Sequence, residues 1–190
     1  ADSLRLYEMF MGPFDQPIPW SSKNIIGAKR FLERVYSLSL KIKNKISNLK
    51  TENSKLEKII HKTIKKITED IENFHFNTAI SSLMILLNEM EKEDSLETKN
   101  YELLIKLLSP FAPHMSEEIW QEILGHKTSI HLEKWPVFDE EKIKEKTFKL
   151  VIQVDGKTRD FFEAESGISE YEAKDLTLKR ANVKKWVGDK

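Results

Sequence analysis

Apolar residues recur at intervals of three and four over most of the chain, the period of an amphipathic α-helix. Five helices are predicted from this pattern. The apolar stripes of the first three contain Phe31, Val35, Leu38, Ile42, Ile46 and Leu49; then Leu56, Ile60, Ile64, Ile67, Ile71 and Phe74; then Phe76, Ile80, Leu83, Leu87 and Met90. The fourth stripe contains Tyr101, Leu104, Leu107 and Leu108, and the fifth helix runs from Pro113 to Leu124. Because the links are short, we expect an antiparallel bundle.

Prolines, serines and glycines mark where these helices begin and end. The connector GPFDQPIPW holds three prolines, which oppose helix, and Ser21 or Ser22 can cap the helix that follows. Ser109-Pro110 ends the fourth helix and Gly125 ends the fifth. The opening ADSLRLYEMF already has helical spacing and begins with Ala, so we expect a segment of a longer protein.

After residue 125 the period changes from helical to alternating. SIHLEKWPVFDEEKIKEK predicts an irregular, charged connector, with Trp135-Pro136 packing back on the bundle. FKLVIQVDGKTRDFFEA then alternates around Asp155-Gly156, which predicts a hairpin. A two-residue loop would set Lys157 and Arg159 beside Val154 and Ile152. A three-residue loop with Gly156 in the left-handed position sorts the two faces, and we choose it.

The chosen register predicts one apolar and one basic face. Phe148, Leu150, Ile152 and Phe162 point inward, while Lys149, Gln153, Lys157 and Arg159 lie together on the outer face. A helix follows, with Ser169 and Glu172 as a capping box, a stripe of Ala173, Leu176, Val183 and Val187, and a break at Asn182. Two strands and one helix are marginal in water, so we expect this unit to be truncated.

The amino-acid composition excludes several kinds of site and of cellular location. Lys plus Arg and Asp plus Glu are both 31, so net charge indicates no partner, and cysteine is absent, which excludes disulfides and thiolate zinc sites. No apolar run reaches the length of a membrane span, and no signal peptide opens the chain. We therefore expect a cytoplasmic protein that does not bind membrane.

The stretch SPFAPHMSEEIW is a candidate reaction centre that we interpret as structural. His114, Glu117 and Glu118 lack the second histidine of a zinc motif, and the other four histidines lie on different elements. Pro113 suits a first helical turn, and the two glutamates suit the positive end of the helix dipole. We predict no catalytic and no metal-binding residue.

Three clusters of basic residues are candidate polyanion surfaces. Residues 41 to 66 hold nine lysines against Glu52 and Glu57, the hairpin has Lys149, Lys157 and Arg159, and the end helix has Lys174, Lys179, Arg180, Lys184 and Lys185. The alternative for the first cluster is a solvated helix face, and for the hairpin a strand edge guarded by charge against aggregation. A lysine-dominated surface favours phosphate contact over base reading.

Several stretches resemble the bacterial-type leucyl-tRNA synthetase family, a class I family. They are ADSLRLYEMFMGPFDQPIPW, RFLERVYSL, FHFNTAISSLMILLN, LLSPFAPHMSEEIWQEILG, SIHLEKWP and VIQVDGKTRD, and they run nearly end to end. The isoleucyl, valyl and methionyl relatives are the alternative, and a helical protein-interaction module is an alternative of another class. His114 after the Pro-Phe-Ala-Pro block and the Val-Asp-Gly-Lys-Thr-Arg hairpin favour the leucine family.

The resemblance implies a mainly α fold in three parts. Residues 1–137 would be an antiparallel, anticodon-binding-type bundle, 138–147 a charged linker, and 148–190 the incomplete start of a C-terminal α+β tRNA-binding domain. In the family, the bundle braces the inner surface of the tRNA and the C-terminal domain touches the corner of the L. The anticodon is not read.

The resemblance also implies a division of labour within a monomeric parent ligase. The ATP-handling signatures and the editing domain are absent here, so ATP, Mg²⁺ and leucine would be used elsewhere, and this segment alone would need no cofactor and be inactive. The partner would be tRNA(Leu), and not DNA. The residues that match the family or the basic clusters, and that we predict to contact RNA, are Lys157, Arg159, Lys149, Arg30, Arg34, Lys184 and Lys185. Arg30 and Arg34 could instead brace the bundle.

Overall fold

The computed structural model describes residues 1–13, 15–21, 23–44, 54–144, 147–165 and 167–187. The chain divides into two compact units, Ala1–Ile143 and Lys144–Lys190. The contact boundary lies inside the segment 138–147 that the sequence predicts as a linker. In the described part of the chain, no helix combines the length and apolarity needed to cross a membrane.

The first unit is a helical bundle, as predicted. Its elements are α1 (Asp2–Phe10), α2 (Ile25–Asn44), α3 (Ser54–Glu72), α4 (Phe76–Met90), α5 (Thr98–Leu108), α6 (Pro113–Glu118), a π-helical turn (Ile119–Ile123), a 3₁₀ turn (Ile130–Leu132) and α7 (Glu140–Ile143). The predicted stripe positions Ile46 and Leu49 and the candidate cap Ser22 lie outside the described residues. Helix α1 buries Leu6 and Tyr7, whereas Leu4 is exposed.

The core of the bundle follows the helical periodicity. The predicted stripe residues of α4 other than Phe76, and all four of α5, are fully buried, and Trp120 joins them from the π-helical turn. Tyr101 donates a hydrogen bond to the carbonyl of Val35 at 2.8 Å, and burial raises the pKa of its hydroxyl. Trp135 donates to the Thr68 hydroxyl at 2.9 Å, which confirms that the Trp135-Pro136 segment packs back on the bundle.

Phe74 is an exception to the predicted stripe of α3. Its φ is +58° and its side chain is 62% exposed, because it follows the end of the helix. The amide of His75 donates to the carbonyl of Asp70 at 2.7 Å, and the amide of Phe74 donates to that of Ile71 at 3.2 Å. These two bonds form a Schellman motif with a phenylalanine at the left-handed position, where glycine is usual. The prediction that Phe74 extends the buried stripe is wrong.

The predicted connector after Trp135 includes an ordered helical turn. Helix α7 is held against α3 by ion pairs from Lys142 to Glu57 and from Lys65 to Glu140. The amide of Asp139 donates to Nδ1 of His61 at 3.0 Å. Residues 138–143 therefore belong to the bundle by their contacts.

The second unit is a two-stranded antiparallel sheet with two short helices. Strand β1 (Thr147–Val154) pairs with β2 (Lys157–Glu165), and α8 (Glu170–Lys179) and α9 (Ala181–Val187) follow. The capping box of Ser169 and Glu172 is present, as predicted. The helix breaks at Arg180, with ψ of 131°, rather than at Asn182. Of the predicted apolar stripe, Val183 is buried, whereas Leu176 and Val187 are exposed.

Candidate nucleic-acid interface

The hairpin turn has two residues, so the predicted three-residue loop is wrong. Asp155 and Gly156 both have positive φ, +51° and +73°, and Val154 pairs directly with Lys157. Positive φ at both central residues is the type I′ geometry, whose twist matches that of the flanking strands. The pairing of Leu150 with Phe162 and the burial of Ile152, which the longer loop would preserve, are kept by another feature of the hairpin.

That feature is a β-bulge in β2. Gln153 pairs with Thr158, but the next residue of β1, Ile152, pairs with Asp160, which leaves Arg159 as the extra residue. The bulge restores the register, so Leu150 faces Phe162 and Ile152 is buried as predicted. Phe148, predicted to point inward, is 40% exposed.

The bulge divides the basic strip that the sequence predicts on one outer face. Lys149 lies beside Phe161, with its Nζ 3.6 Å from the ring centroid. Lys157 is exposed next to the turn. Arg159 instead reaches α9, where its guanidinium carbon lies 3.5 Å from the ring centroid of Trp186. Lys149 and Arg159 therefore have different surroundings, and the prediction of a shared strip is wrong.

Arg180, which lies at the break between α8 and α9, forms an ion pair with β2. Its guanidinium donates to both carboxylate oxygens of Asp160, at 2.6 and 3.3 Å. These bonds lower the pKa of the Asp160 carboxyl and raise the pKa of Arg180. Because the charge of Arg180 is neutralised by a carboxylate, this residue stabilises the unit rather than contributing to a cationic surface.

Helices α8 and α9 contribute four further lysines to the second unit. Lys184 and Lys185 are exposed on α9 and Lys174 is exposed on α8, and no described carboxylate pairs with these three lysines. Lys179 of α8 forms an ion pair with Asp175 at 2.6 Å. The described basic residues of this unit that form no ion pair are therefore Lys149, Lys157, Arg159, Lys174, Lys184 and Lys185.

The two candidate arginines of the bundle have different environments. Arg34 of α2 makes a two-pronged hydrogen bond with the Glu91 carboxylate and a further one with the Asn88 amide oxygen at 2.6 Å. The hydrogen bond with Glu91 raises the pKa of Arg34. Arg30 is exposed, and no described residue pairs with it. Arg34 therefore links α2 to the end of α4, whereas Arg30 stays available to a ligand.

Most of the described lysines between residues 41 and 66 are already engaged. Lys43 donates to the carbonyl of Glu122 at 3.1 Å, Lys65 pairs with Glu140, and Lys66 pairs with Asp70. Lys55, Lys58 and Lys62 have interactions as well, and Lys45 and Lys50 lie outside the described residues. The lysines of this surface therefore lie among carboxylates that pair with several of them.

His114 and Glu117 of the stretch SPFAPHMSEEIW have structural partners. His114 donates from Nδ1 to Asp2 at 2.7 Å. Glu117 accepts from the hydroxyl of Ser129 and the amide of Ile130, both at 3.0 Å. Within the described ranges, no three His, Asp or Glu side chains are grouped as a metal site would require. The motif therefore ties the start of α6 to α1 and to the 3₁₀ turn.

Comparison with known proteins identifies the family. Residues 53–176 match the model of the anticodon-binding domain of tRNA ligase. The chain belongs to this family. The structure of the anticodon-binding-type chain is also similar to a crystal structure of a leucyl-tRNA synthetase from Agrobacterium radiobacter K84, in a ternary complex with tRNA and LeuAMS, with a TM-score of 0.80 and 27% sequence identity. The similarity confirms the resemblance to leucyl-tRNA synthetases and the predicted mainly α fold.

The match extends over most of this chain but only part of the synthetase. It covers 97% of this anticodon-binding-type chain and 26% of the Agrobacterium chain. The chain therefore spans about a quarter of the length of that relative.

Two residues of the described structure were missed by sequence reasoning. Trp186 lies in a helix of seven residues, and the bulge at Arg159 is what brings the two side chains together. Asp2 lies in the first turn of α1, where the helix dipole alone would explain an acidic residue. No sequence signal marks the tertiary contact of either residue.

Proposed function

We propose that the chain is the tRNA-binding portion of a leucine–tRNA ligase, supporting the ATP-dependent attachment of leucine to tRNA(Leu). The observation that carries the proposal is the similarity, over 97% of the chain, to a leucyl-tRNA synthetase crystallised with tRNA. The match of residues 53–176 to an anticodon-binding domain of tRNA ligase supports it.

The binding is through the shape and the phosphate backbone of the tRNA. Lysine outnumbers arginine in every basic cluster of the sequence, and a lysine ammonium attracts phosphate as a point charge without reading bases. Counterion release then makes the affinity depend strongly on salt. Replacement of the anticodon leaves the affinity unchanged.

The chemistry takes place in other parts of the parent ligase. ATP with Mg²⁺ and leucine bind there, and the present chain activates no leucine by itself. The parent acts as a monomer in the cytoplasm. Incubation of the purified chain with leucine, ATP and labelled pyrophosphate tests the division of labour: exchange of label into ATP above the protein-free rate contradicts it.

Fluorescence anisotropy with labelled tRNA(Leu) tests the binding. At about 50 mM salt the chain binds tRNA(Leu) saturably, and at about 200 mM salt the affinity falls at least tenfold. tRNA(Leu) with a foreign anticodon binds equally well, whereas a DNA duplex of similar size binds more weakly. Absence of saturable tRNA binding at the lower salt overturns the proposal. Tighter binding of tRNA(Ile), tRNA(Val) or tRNA(Met) overturns the assignment to leucine.

A further inference from the structure

Arg159 occupies a position at which the strand redirects its side chain. It is the extra residue of the bulge between the pairs Gln153 with Thr158 and Ile152 with Asp160. A bulge breaks the alternation of side chains and can aim one of them in a new direction, which is why bulges are frequent beside functional sites. Here the redirected side chain reaches α9.

Stacking on Trp186 is the contact that holds the guanidinium of Arg159. Its central carbon is 3.5 Å from the centroid of the indole ring. Its Nε is buried and has no hydrogen-bond partner among the described residues, and no described carboxylate pairs with it. Stacking restricts the plane of the guanidinium but uses none of its Nη donors, which in a free arginine bind phosphate oxygens in pairs.

Most other arginines of the chain have their head group occupied. Arg5 donates from Nε and Nη2 to the carbonyl of Pro110, at 3.3 and 3.2 Å. Arg34 is bound to Glu91 and Arg180 to Asp160. Arg30 is exposed without a described partner, but no aromatic ring orients it. Within the described chain, the guanidinium of Arg159 is thus oriented by an aromatic ring and is not neutralised by a carboxylate.

The local charge around this stack favours an anion. Lys157 lies two residues before Arg159 on β2, and Lys184 and Lys185 directly precede Trp186 on α9. The carboxylate of Asp160 is neutralised by Arg180, and the acidic residues Asp155 and Glu163 each lie four positions from Arg159 along the chain. Trp186 itself is 55% exposed, so a large ligand can approach the stack.

We propose that Trp186 is a positioning residue, which holds the Arg159 guanidinium in the orientation that binds a phosphate group of RNA. The inference rests on the proposed function, because it assigns the role to a chain that binds tRNA. Trp186 acts through Arg159. Loss of the indole leaves the charge of Arg159 in place but no longer fixes the orientation of its guanidinium. The ligand chemistry is a phosphodiester or another phosphate anion.

The first arm of the test uses inorganic tripolyphosphate and does not depend on tRNA. In NMR spectra of the ¹⁵N-labelled chain, the Arg159 Nε–Hε signal, assigned with R159Q, is displaced by the ring current of Trp186. Tripolyphosphate shifts it further. In W186L the signal returns towards the position of an unstacked arginine and no longer responds, while Y171L, which removes an exposed aromatic residue from α8, leaves it unchanged.

The second arm measures tRNA affinity in a double-mutant cycle. W186L weakens binding about twofold to fivefold, as expected for the loss of a cation–π contact, and W186F recovers part of the loss. In the R159Q background W186L has no further effect, because there is no guanidinium to orient. A purely structural role would instead reduce affinity equally in both backgrounds and would disturb amide signals throughout the unit.

The two arms separate the inference from the proposed function. If the chain binds tRNA but W186L and R159Q leave the affinity unchanged, or W186L leaves the response of Arg159 to tripolyphosphate unchanged, the inference is wrong and the proposed function stands. If tRNA does not bind while tripolyphosphate still shifts Arg159 in a Trp186-dependent manner, the proposed function is wrong and an anion site remains. Additive effects of W186L and R159Q also overturn the positioning role.

Discussion

Asp2 caps the N-terminus of a helix 113 residues further along the chain: its Oδ2 accepts the amide of Met115 at 2.7 Å. The same carboxylate accepts from His114 through Oδ1. Ala112, the residue at the N-cap position of α6, has no side-chain oxygen with which to satisfy the free amides of the first turn. A residue of α1 therefore supplies what the local sequence lacks, and the contact fixes α6 against α1.

We expect Asp2→Ala to lower the free energy of unfolding by about 1–2 kcal/mol, the typical cost of losing an N-cap. Asp2→Asn keeps one acceptor and costs less. Glu8→Ala, on an exposed position of the same helix, is the matched control and leaves stability unchanged. Urea unfolding followed by circular dichroism measures all three. Equal stability of Asp2→Ala and Glu8→Ala would contradict the capping role.

The helices of the bundle could be predicted because their apolar period is regular, but their ends depend on backbone details that the period does not contain. Phe74 continues the apolar spacing of α3, so the sequence places it in the stripe. The Schellman motif ends the helix first, because the amide of His75 is already bound to the carbonyl of Asp70. A phenylalanine at positive φ gives no sequence signal, since that conformation is typical of glycine.

Replacement of Phe74 tests this backbone strain. Phe74→Ala and Phe74→Gly both remove the exposed ring, but only glycine accepts the φ of +58° without a clash of its Cβ. We expect the glycine variant to be more stable than the alanine variant by about 0.5–1 kcal/mol, after allowance for the greater entropy of glycine in the unfolded chain. Thermal unfolding of the pair measures the difference. A more stable alanine variant would exclude strain at this position.

The candidate interface was less predictable, because one bulge changes which side chains are neighbours. Strict alternation made the two-residue Asp-Gly loop conflict with the apolar faces, so the sequence favoured the wrong loop. In the structure the bulge at Arg159 accommodates both, and it moves Arg159 away from Lys149. The contact of Arg159 with Trp186 also depends on where the chain breaks between α8 and α9, at Arg180, which bonds to Asp160.

Removal of the charges at Lys157 and Arg159 tests their proposed contact with RNA. We expect the double variant Lys157→Gln, Arg159→Gln of the parent ligase to bind tRNA(Leu) more weakly, and the plot of log affinity against log salt to become shallower by about two at most. Each lost phosphate contact removes one released counterion. Lys127→Gln, an exposed lysine of the bundle, is the control. Unchanged affinity and slope in the double variant would exclude both residues from the interface.

Arg30 and Arg34 have different expected roles. Arg30 contacts the RNA, whereas Arg34 holds α2 against the end of α4. Arg34→Gln is expected to cost about 1 kcal/mol of stability, since Arg34 binds both Glu91 and Asn88 at a half-exposed site. The cost shrinks in a Glu91→Gln background, because the partner is already gone. Arg30→Gln leaves stability unchanged and weakens tRNA binding. Loss of stability in Arg30→Gln, or none in Arg34→Gln, would reverse these roles.

His61 makes the docking of α7 on α3 dependent on pH. Burial, and then the nearby Lys142, lower the pKa of His61 from its ordinary value of 6.5, while Glu57 and Asp139 oppose the shift. The folded protein therefore favours the neutral ring, whose Nδ1 accepts the amide of Asp139. A lowered histidine pKa contributes stability that is complete above pH 6.5 and is lost as the pH falls through the folded value.

His61→Asn tests this dependence, because its side-chain oxygen can replace Nδ1 as an acceptor but does not titrate. We expect the stability advantage of the wild type over His61→Asn to shrink as the pH is lowered from about 7.5 to about 5, since only the wild type loses the contribution of His61. Urea unfolding of both proteins at each pH gives the difference and cancels the titration of the other histidines. An advantage that stays constant, or grows towards low pH, would show that His61 is not held neutral by the fold.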